Sequence, residues 1–182
     1  MKKKFYVKKI DWTKINKMVF DVDGVVRNLY LYLRTKYFFP PITSWNFVYR
    51  GMGITEWLDY DDLKVLEYAP RTTYFSAIKK LVKKPEFWTA QPTDRAKEIT
   101  YNWLKRNFSD FDICFLSPEE KQEALKKNKN IVLVEDYPKF KSYDRIILVD
   151  NLYNKRIQTK YKVYNKKQLE HYIKKVSNEN RA

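Results

Sequence analysis

The sequence predicts an α/β fold: a Rossmann-like parallel sheet with helices on both faces and a small helical cap inserted after the first strand. Three observations predict it. Over the second half of the chain, short apolar runs of strand length alternate with amphipathic stretches, the pattern of a parallel sheet covered by helices. The first apolar run, Lys17-Met18-Val19-Phe20, ends in Asp21-Val22-Asp23-Gly24, two carboxylates and a glycine. Residues 27–80, between that run and the next strand candidate, show helical spacings and no clear strand.

In chain order, residues 1–16 alternate basic and apolar positions (Phe5, Val7, Ile10, Trp12, Ile15), as expected of a segment packed on the edge of a domain. Asp21 and Asp23, two apart on extended chain, point the same way at the carboxyl end of the first strand. Gly24 allows a sharp turn there, because it tolerates positive φ. In the insertion, Tyr30, Leu31, Leu33 and Tyr37 follow helical spacing until Pro40-Pro41 stops them. Gly51-Met52-Gly53 is a joint, one or two helices follow from Thr55 to Tyr68, and Tyr74–Val82 reads as one more. The expected division is therefore a core of residues 1–26 and 81–182 and a cap of residues 27–80.

Beyond the cap, Glu86–Ala90 is a strand candidate, and Thr93 caps a helix whose Ala96, Ile99, Trp103 and Leu104 share a face. Asp112–Leu116 is the next strand. Ser117-Pro118-Glu119-Glu120 is a capping box with proline at the first helical position. Asn130–Asp136 is an apolar strand ending in acids, Arg145–Asp150 another, and an amphipathic helix covers Lys167 to Val176. Ligands of such sheets bind at the carboxyl ends of the strands.

Composition narrows the function. Hydrophobic residues make up 44% of the 182, enough for a packed core. No apolar stretch is long enough to span a bilayer, and the basic N-terminus lacks the apolar segment of a secretory signal. The single cysteine, Cys114, forbids an internal disulfide and sits in an apolar run, so a buried thiol and a cytoplasmic location are expected. Lys and Arg total 37 against 22 acids, a formal charge of +15. That excess either favours anionic partners or reflects a lysine-rich composition.

The polar residues at the predicted strand ends form a constellation. Asp21 and Asp23 repel unless a cation or shared proton holds them, and Mg²⁺ favours one or two carboxylates plus phosphate and water. Thr89, Glu135 and Asp136 end other strands on the same edge, and Lys121 lies in the first turn of the capped helix. A phosphoryl-transfer site uses these residue types. One carboxylate attacks phosphorus, and a second moves protons. A hydroxyl and an ammonium hold the phosphoryl oxygens, and a last acid completes the metal shell. Lys126 competes with Lys121 for its place. Arg27 and Asn28, just after the first acids, are within reach of a substrate. The cap aromatics Trp45, Phe47, Tyr49, Trp57 and Tyr60 serve either as stacking faces for a nucleobase or as the cap's own core. His171 lies far from any of these residues.

Asp21-Val22-Asp23-Gly24-Val25 after an apolar strand resembles the first motif of the haloacid-dehalogenase-like phosphatases. Thr89 in Phe87-Trp88-Thr89-Ala90-Gln91-Pro92, Lys121 after Ser117-Pro118, and Val134-Glu135-Asp136-Tyr137-Pro138 resemble the other three, in order and over nearly the whole chain. Within that superfamily the chain is most similar to the 5′(3′)-deoxyribonucleotidases, through Thr89-Ala90-Gln91-Pro92, Glu135-Asp136-Tyr137-Pro138 and Leu148-Val149-Asp150-Asn151-Leu152-Tyr153-Asn154. The resemblance implies Asp21 as nucleophile and Asp23 as acid and base, with Thr89 and Lys121 on the phosphate. It implies Mg²⁺ on Asp21, Asp23, Asp136 and Glu135, with Asp136 favoured over Glu135. Arg27, Trp45, Trp57 and Ala90 would then lie against the substrate, a small phosphomonoester such as a nucleoside monophosphate. The competing expectations are a phosphatase of nucleic-acid ends and a non-catalytic nucleic-acid-binding protein on the same fold.

Overall fold

A computed structural model describes residues 9–179, so Phe5 and Val7 of the predicted edge segment lie outside the described residues. The six strands are β1 (Lys17–Phe20), β2 (Glu86–Thr89), β3 (Asp112–Phe115), β4 (Ile131–Glu135), β5 (Ile146–Val149) and β6 (Lys162–Val163). They form one sheet in the order β3-β2-β1-β4-β5-β6, with every pairing parallel. The helices are α1 (Leu29–Tyr37), α2 (Ile54–Tyr60), α3 (Lys64–Tyr68), α4 (Phe75–Leu81), α5 (Asp94–Asn107), α6 (Pro118–Lys127) and α7 (Lys166–Glu179). The fold is thus the predicted α/β one. No helix among the described residues is long and apolar enough to cross a membrane.

The strands form where apolar runs can be buried on both faces, which a central parallel strand requires. β4 and β5 are buried at every position. Their side chains alternate between two cores with the period of two that a strand imposes. Met18, Phe20, Val132, Val134, Ile147 and Val149 face the core that α4, α5 and α7 cover. Val19, Ile131, Leu133 and Ile146 face the opposite core, which Leu125 of α6 and Phe140 close. β3 is an edge strand with only β2 beside it, and its residues alternate between exposed and half-buried. Cys114 is therefore exposed rather than the buried thiol expected from its apolar neighbours.

The chain between β1 and β2 is helical. α1, α2 and α3 share a separate apolar cluster around Leu33, Phe39, Trp57 and Leu66. Trp57 is its centre, with the rings of Phe39, Tyr37 and Tyr60 at 4.8, 5.1 and 5.1 Å. α4 belongs to the sheet instead: its Phe75, Ala77 and Ile78 lie in the main core. The helical layer over the strand ends is therefore α1 to α3. Backbone bonds from Asn28 to the Pro70 carbonyl (2.7 Å) and from Thr72 to that of Val26 (2.9 Å) close its base.

Candidate active site

Strand order reverses at β1. The chain goes from β1 outward to β2 and β3, then returns to β4 on the other side and continues outward to β5 and β6. A crevice opens at the carboxyl ends where such a reversal occurs. Phe20 is in register with Val134, so the residues that follow, Asp21 and Glu135, emerge side by side, and the Asp21 amide donates to the Val134 carbonyl at 2.9 Å. Asp136 follows at once. One carboxylate oxygen from each of Asp21, Glu135 and Asp136 lies within 4.8 Å of the others.

Lys121 enters this cluster from α6. The helix starts there because Ser117 and Glu120 cap it reciprocally, at 3.2 and 2.7 Å, with Pro118 at its first position. The Lys121 ammonium donates to Asp21 Oδ1 at 2.6 Å and Glu135 Oε2 at 3.3 Å. All four side chains are buried; Lys121 is 3% exposed and the competing Lys126 lies on the solvent side. The electrostatics follow from that burial. Burial and then the charge of Asp21 push Glu135 up to about 8. Burial also raises Asp21, against the pull of Lys121, and raises Asp136 well above the usual carboxylate range, with Glu135 and Asp21 adding repulsion. For Lys121, burial works against the charge, but Asp21 and Glu135 outweigh it and hold the ammonium above its ordinary range.

Ionised together, the three carboxylates would leave two negative charges uncovered by Lys121 in a buried place, so the cluster holds either protons or a cation. The donors are all carboxylate oxygens, which suits a hard divalent ion of the Mg²⁺ type. Within the cluster, Asp21 and Glu135 are paired with Lys121, whereas Asp136 accepts from the Asn151 amide on its Oδ2, at 3.1 Å. Gly24 makes the site possible. It has φ of 83°, and a Cβ there would stand 1.7 Å from Asp136 Oδ2.

Asp23 stands apart from this cluster, although the sequence reading placed it among the cation's ligands. Arg27 grips both its oxygens, with Nε to Oδ1 at 2.6 Å and Nη2 to Oδ2 at 3.0 Å, and Gln91 Nε2 donates to Oδ2 at 2.9 Å. Arg27 is accordingly no substrate ligand: it is fully buried and its remaining donors go to Leu66 O and Thr100 Oγ1. Thr89 ends β2, buried at the floor of the cleft, and Ala90 follows it, exposed. Both line a cleft of about 720 Å³ together with Asp21, Asp23, Lys121 and Asp136.

A second cavity of about 320 Å³ runs under the helical layer and meets the cleft at Asp23, Asp136 and Trp45. Trp45 is 42% exposed and rests on Tyr137 and Tyr153, with centroids at 4.4 and 5.2 Å. Trp57 touches the same cavity but is only 2% exposed and spends its indole N–H on the Tyr49 carbonyl at 3.1 Å. It is core of the helical layer, which leaves Trp45 as the ring with a free face. His171 is exposed on α7.

The sequence reading gave no role to Gln91, Asn151 and Asn154. Asn151 joins the Gly24 carbonyl to Asp136, and Asn154 holds the Asp136 carbonyl at 2.8 Å. The signal was a polar Asp-Asn step straight after the apolar β5, the place where strand-end residues converge. No family model matches the chain, and no curated protein is found to match it.

Proposed function

We propose that this chain is a Mg²⁺-dependent phosphomonoester hydrolase that works through an aspartyl-phosphate on Asp21. One observation carries the reading: the two carboxylates of a single Asp-x-Asp step are sorted into different environments. Asp21 sits with Lys121 in the carboxylate cluster, and Asp23 sits with Arg27 and Gln91 two residues away. Two carboxylates held in separate surroundings can take separate roles. Asp21, Glu135 and Asp136 would hold the cation, which supplies positive charge beside the phosphoryl oxygens. Of the three, Asp136 alone makes no ion pair with Lys121, which makes it the principal ligand alongside Asp21.

In the first step Asp21 attacks phosphorus, the ester P–O bond breaks, and Asp23 gives its proton to the leaving oxygen. Lys121 and the Thr89 hydroxyl hold phosphoryl oxygens where charge accumulates. In the second step water attacks the acyl phosphate and Asp23 takes its proton. The bond between the Asp21 oxygen and phosphorus then breaks, inorganic phosphate leaves, Asp21 is again a carboxylate, and Asp23 again carries the proton with which the cycle began.

The leaving group enters the 320 Å³ cavity. Its walls are aromatic and apolar (Trp45, Phe39, Ile42, Phe47, Met52, Tyr153), and it opens beside Asp23. A flat, largely apolar group such as a nucleobase fits such walls, so nucleoside monophosphates are the substrate class of this reading. The test is a panel of phosphomonoesters assayed with Mg²⁺ and with chelator. Nucleoside monophosphates are expected to turn over only with Mg²⁺. No hydrolysis of any monoester, or full activity in chelator, overturns the proposal. A 5′-phosphorylated oligonucleotide belongs in the panel, because steeply salt-dependent preference for it would assign the +15 charge to a polyanionic substrate.

A further inference from the structure

We propose that Arg27 is a positioning residue: it keeps Asp23 out of the cation cluster and aims it at the leaving group. The inference rests on the assignment of Asp21 and Asp23 above. Arg27 is 0% exposed. Its guanidinium meets the Asp23 carboxylate as a two-pronged fork, at 2.6 and 3.0 Å. That geometry fixes the plane of the carboxylate as well as its distance. The rest of the guanidinium is anchored on two other elements, α3 through Leu66 O at 2.7 Å and α5 through Thr100 Oγ1 at 3.1 Å, and lies 5.6 Å from the Trp103 ring centre.

The backbone makes the grip rigid. The Arg27 amide donates to the Val22 carbonyl at 2.9 Å and the Gly24 amide to the Arg27 carbonyl at 2.8 Å. The turn from Val22 to Arg27 is therefore closed at both ends, with Asp23 inside it. The carboxylate can rotate only by giving up two charge-assisted bonds.

The need for such a grip follows from the cluster next door. A hard divalent cation held by Asp21, Glu135 and Asp136 takes more oxygen ligands than those three supply, so a further carboxylate oxygen within reach competes for it. Asp23 is two residues from Asp21. Joining the cluster would take a coordination place from substrate oxygen and leave the leaving group without its acid. Arg27 supplies a competing positive charge on the other side. A buried arginine with four hydrogen bonds is also a brace between the turn, α3 and α5, so the experiment has to separate brace from aim.

A double-mutant cycle separates them. Arg27→Lys keeps the charge and loses the fork. Single-turnover rates are measured with an aryl phosphate, whose leaving group needs little protonation and keeps the Asp23→Asn rate measurable, and with an alkyl phosphate. Mg²⁺ affinity is measured by calorimetry with the metal alone. Arg27→Lys should lower the alkyl phosphate rate by about tenfold to a hundredfold, the aryl rate by less, and KM by under about twofold. It should leave Mg²⁺ affinity unchanged or tighter. In the Asp23→Asn background it should change no rate further. An equal fall in both backgrounds, or weaker Mg²⁺ binding, makes Arg27 a brace and overturns the proposal.

Should Arg27→Lys fail to fold, Asp23→Asn alone still decides. With Asp23 held away from the metal, that change leaves Mg²⁺ affinity within about twofold; a tenfold loss makes Asp23 a ligand and sinks the idea. Failure of the underlying assignment looks different, since Asp23→Asn would then leave the alkyl phosphate rate intact.

Discussion

The strand-end site and the helical layer above it are built in opposite ways. At the strand ends the polar side chains of the candidate site pair with one another: Lys121 on Asp21, Asn151 on Asp136, Arg27 on Asp23. The layer consists of three short helices, and among the described residues it holds four of the five non-glycine residues with positive φ: Phe38, Arg50, Asp62 and Leu63. Each such residue costs about 1–2 kcal/mol of backbone strain. The aromatic cluster around Trp57 offsets that strain, while Phe38 and Tyr60 remain 82% and 65% exposed on the rim. The difference teaches a division of labour. The carboxylate cluster stands on the strand ends; the surface that shapes the cavity stands on the layer, which is tied to Asp23 through Leu66 O and Arg27.

The largest expected effect breaks the site and spares the layer. Asp21→Asn removes the proposed nucleophile with little change in volume, and kcat should fall by about 10³-fold or more, at least about 4 kcal/mol of transition-state stabilisation. The melting temperature should change little, because burial and the charge of Asp23 disfavour a charge at Asp21 while Lys121 favours it. Normal turnover in the folded variant would remove Asp21 from the mechanism.

Gly24→Ala comes next. The new Cβ would overlap Asp136 Oδ2, 1.7 Å away, at a φ of 83° that strains any L side chain. Asp136 must shift, and kcat/KM should fall by about 10²-fold, with weaker Mg²⁺ binding by calorimetry. Asp136→Asn should weaken Mg²⁺ binding more than Glu135→Gln, and the reverse order would make Glu135 the main ligand.

Metal and pH should be linked in a defined direction. Glu135 has an ordinary pKa of 4.5 and is pushed up to about 8 in the fold without metal. Between those values the folded chain keeps a proton that the unfolded chain has released, so stability falls as pH rises through this window. In chelator the melting temperature should therefore drop from about pH 5 to pH 8, and added Mg²⁺ should restore more of it at pH 8 than at pH 5. A chelated protein that becomes more stable over that range would contradict the buried cluster.

Legibility in the sequence followed the same division. Strands β1 to β5 were readable because each is an apolar run bounded by turn or capping residues. β6 was not, since it is two residues long and begins with Lys162. Asp21, Thr89, Lys121, Glu135 and Asp136 could be placed together because each ends a strand or begins the helix after one, and the sheet brings those points to one edge. Arg27 was read as facing the substrate because its spacing shows proximity to Asp23 but not the direction of the turn, which carries it into the core. Gln91 and Asn151 sit on loops and Asn154 ends a short 3-10 helix, and their partners are distant in sequence. Cys114 depended on strand order, which decides the edge and leaves no mark on the strand itself.

The smallest expected effect on turnover concerns the layer and sharpens the contrast between its two tryptophans. Trp57 is 2% exposed at the centre of the aromatic cluster, so Trp57→Ala should cost about 3–5 kcal/mol of stability and loosen the whole layer. Trp45 is 42% exposed and shared between cleft and cavity, so Trp45→Ala should change stability little. A base stacked on Trp45 loses about 1–3 kcal/mol with the ring, a rise of about fivefold to 150-fold in KM for a nucleoside monophosphate. A small alkyl phosphate does not reach that ring, and its KM and kcat should stay within about twofold. Steady-state kinetics of both substrates on Trp45→Ala decide the matter. An equal loss for both would mean that Trp45 shapes the cleft through Tyr137 rather than receiving the base. No loss for either would place the leaving group elsewhere and leave the 320 Å³ cavity without a part in the reaction.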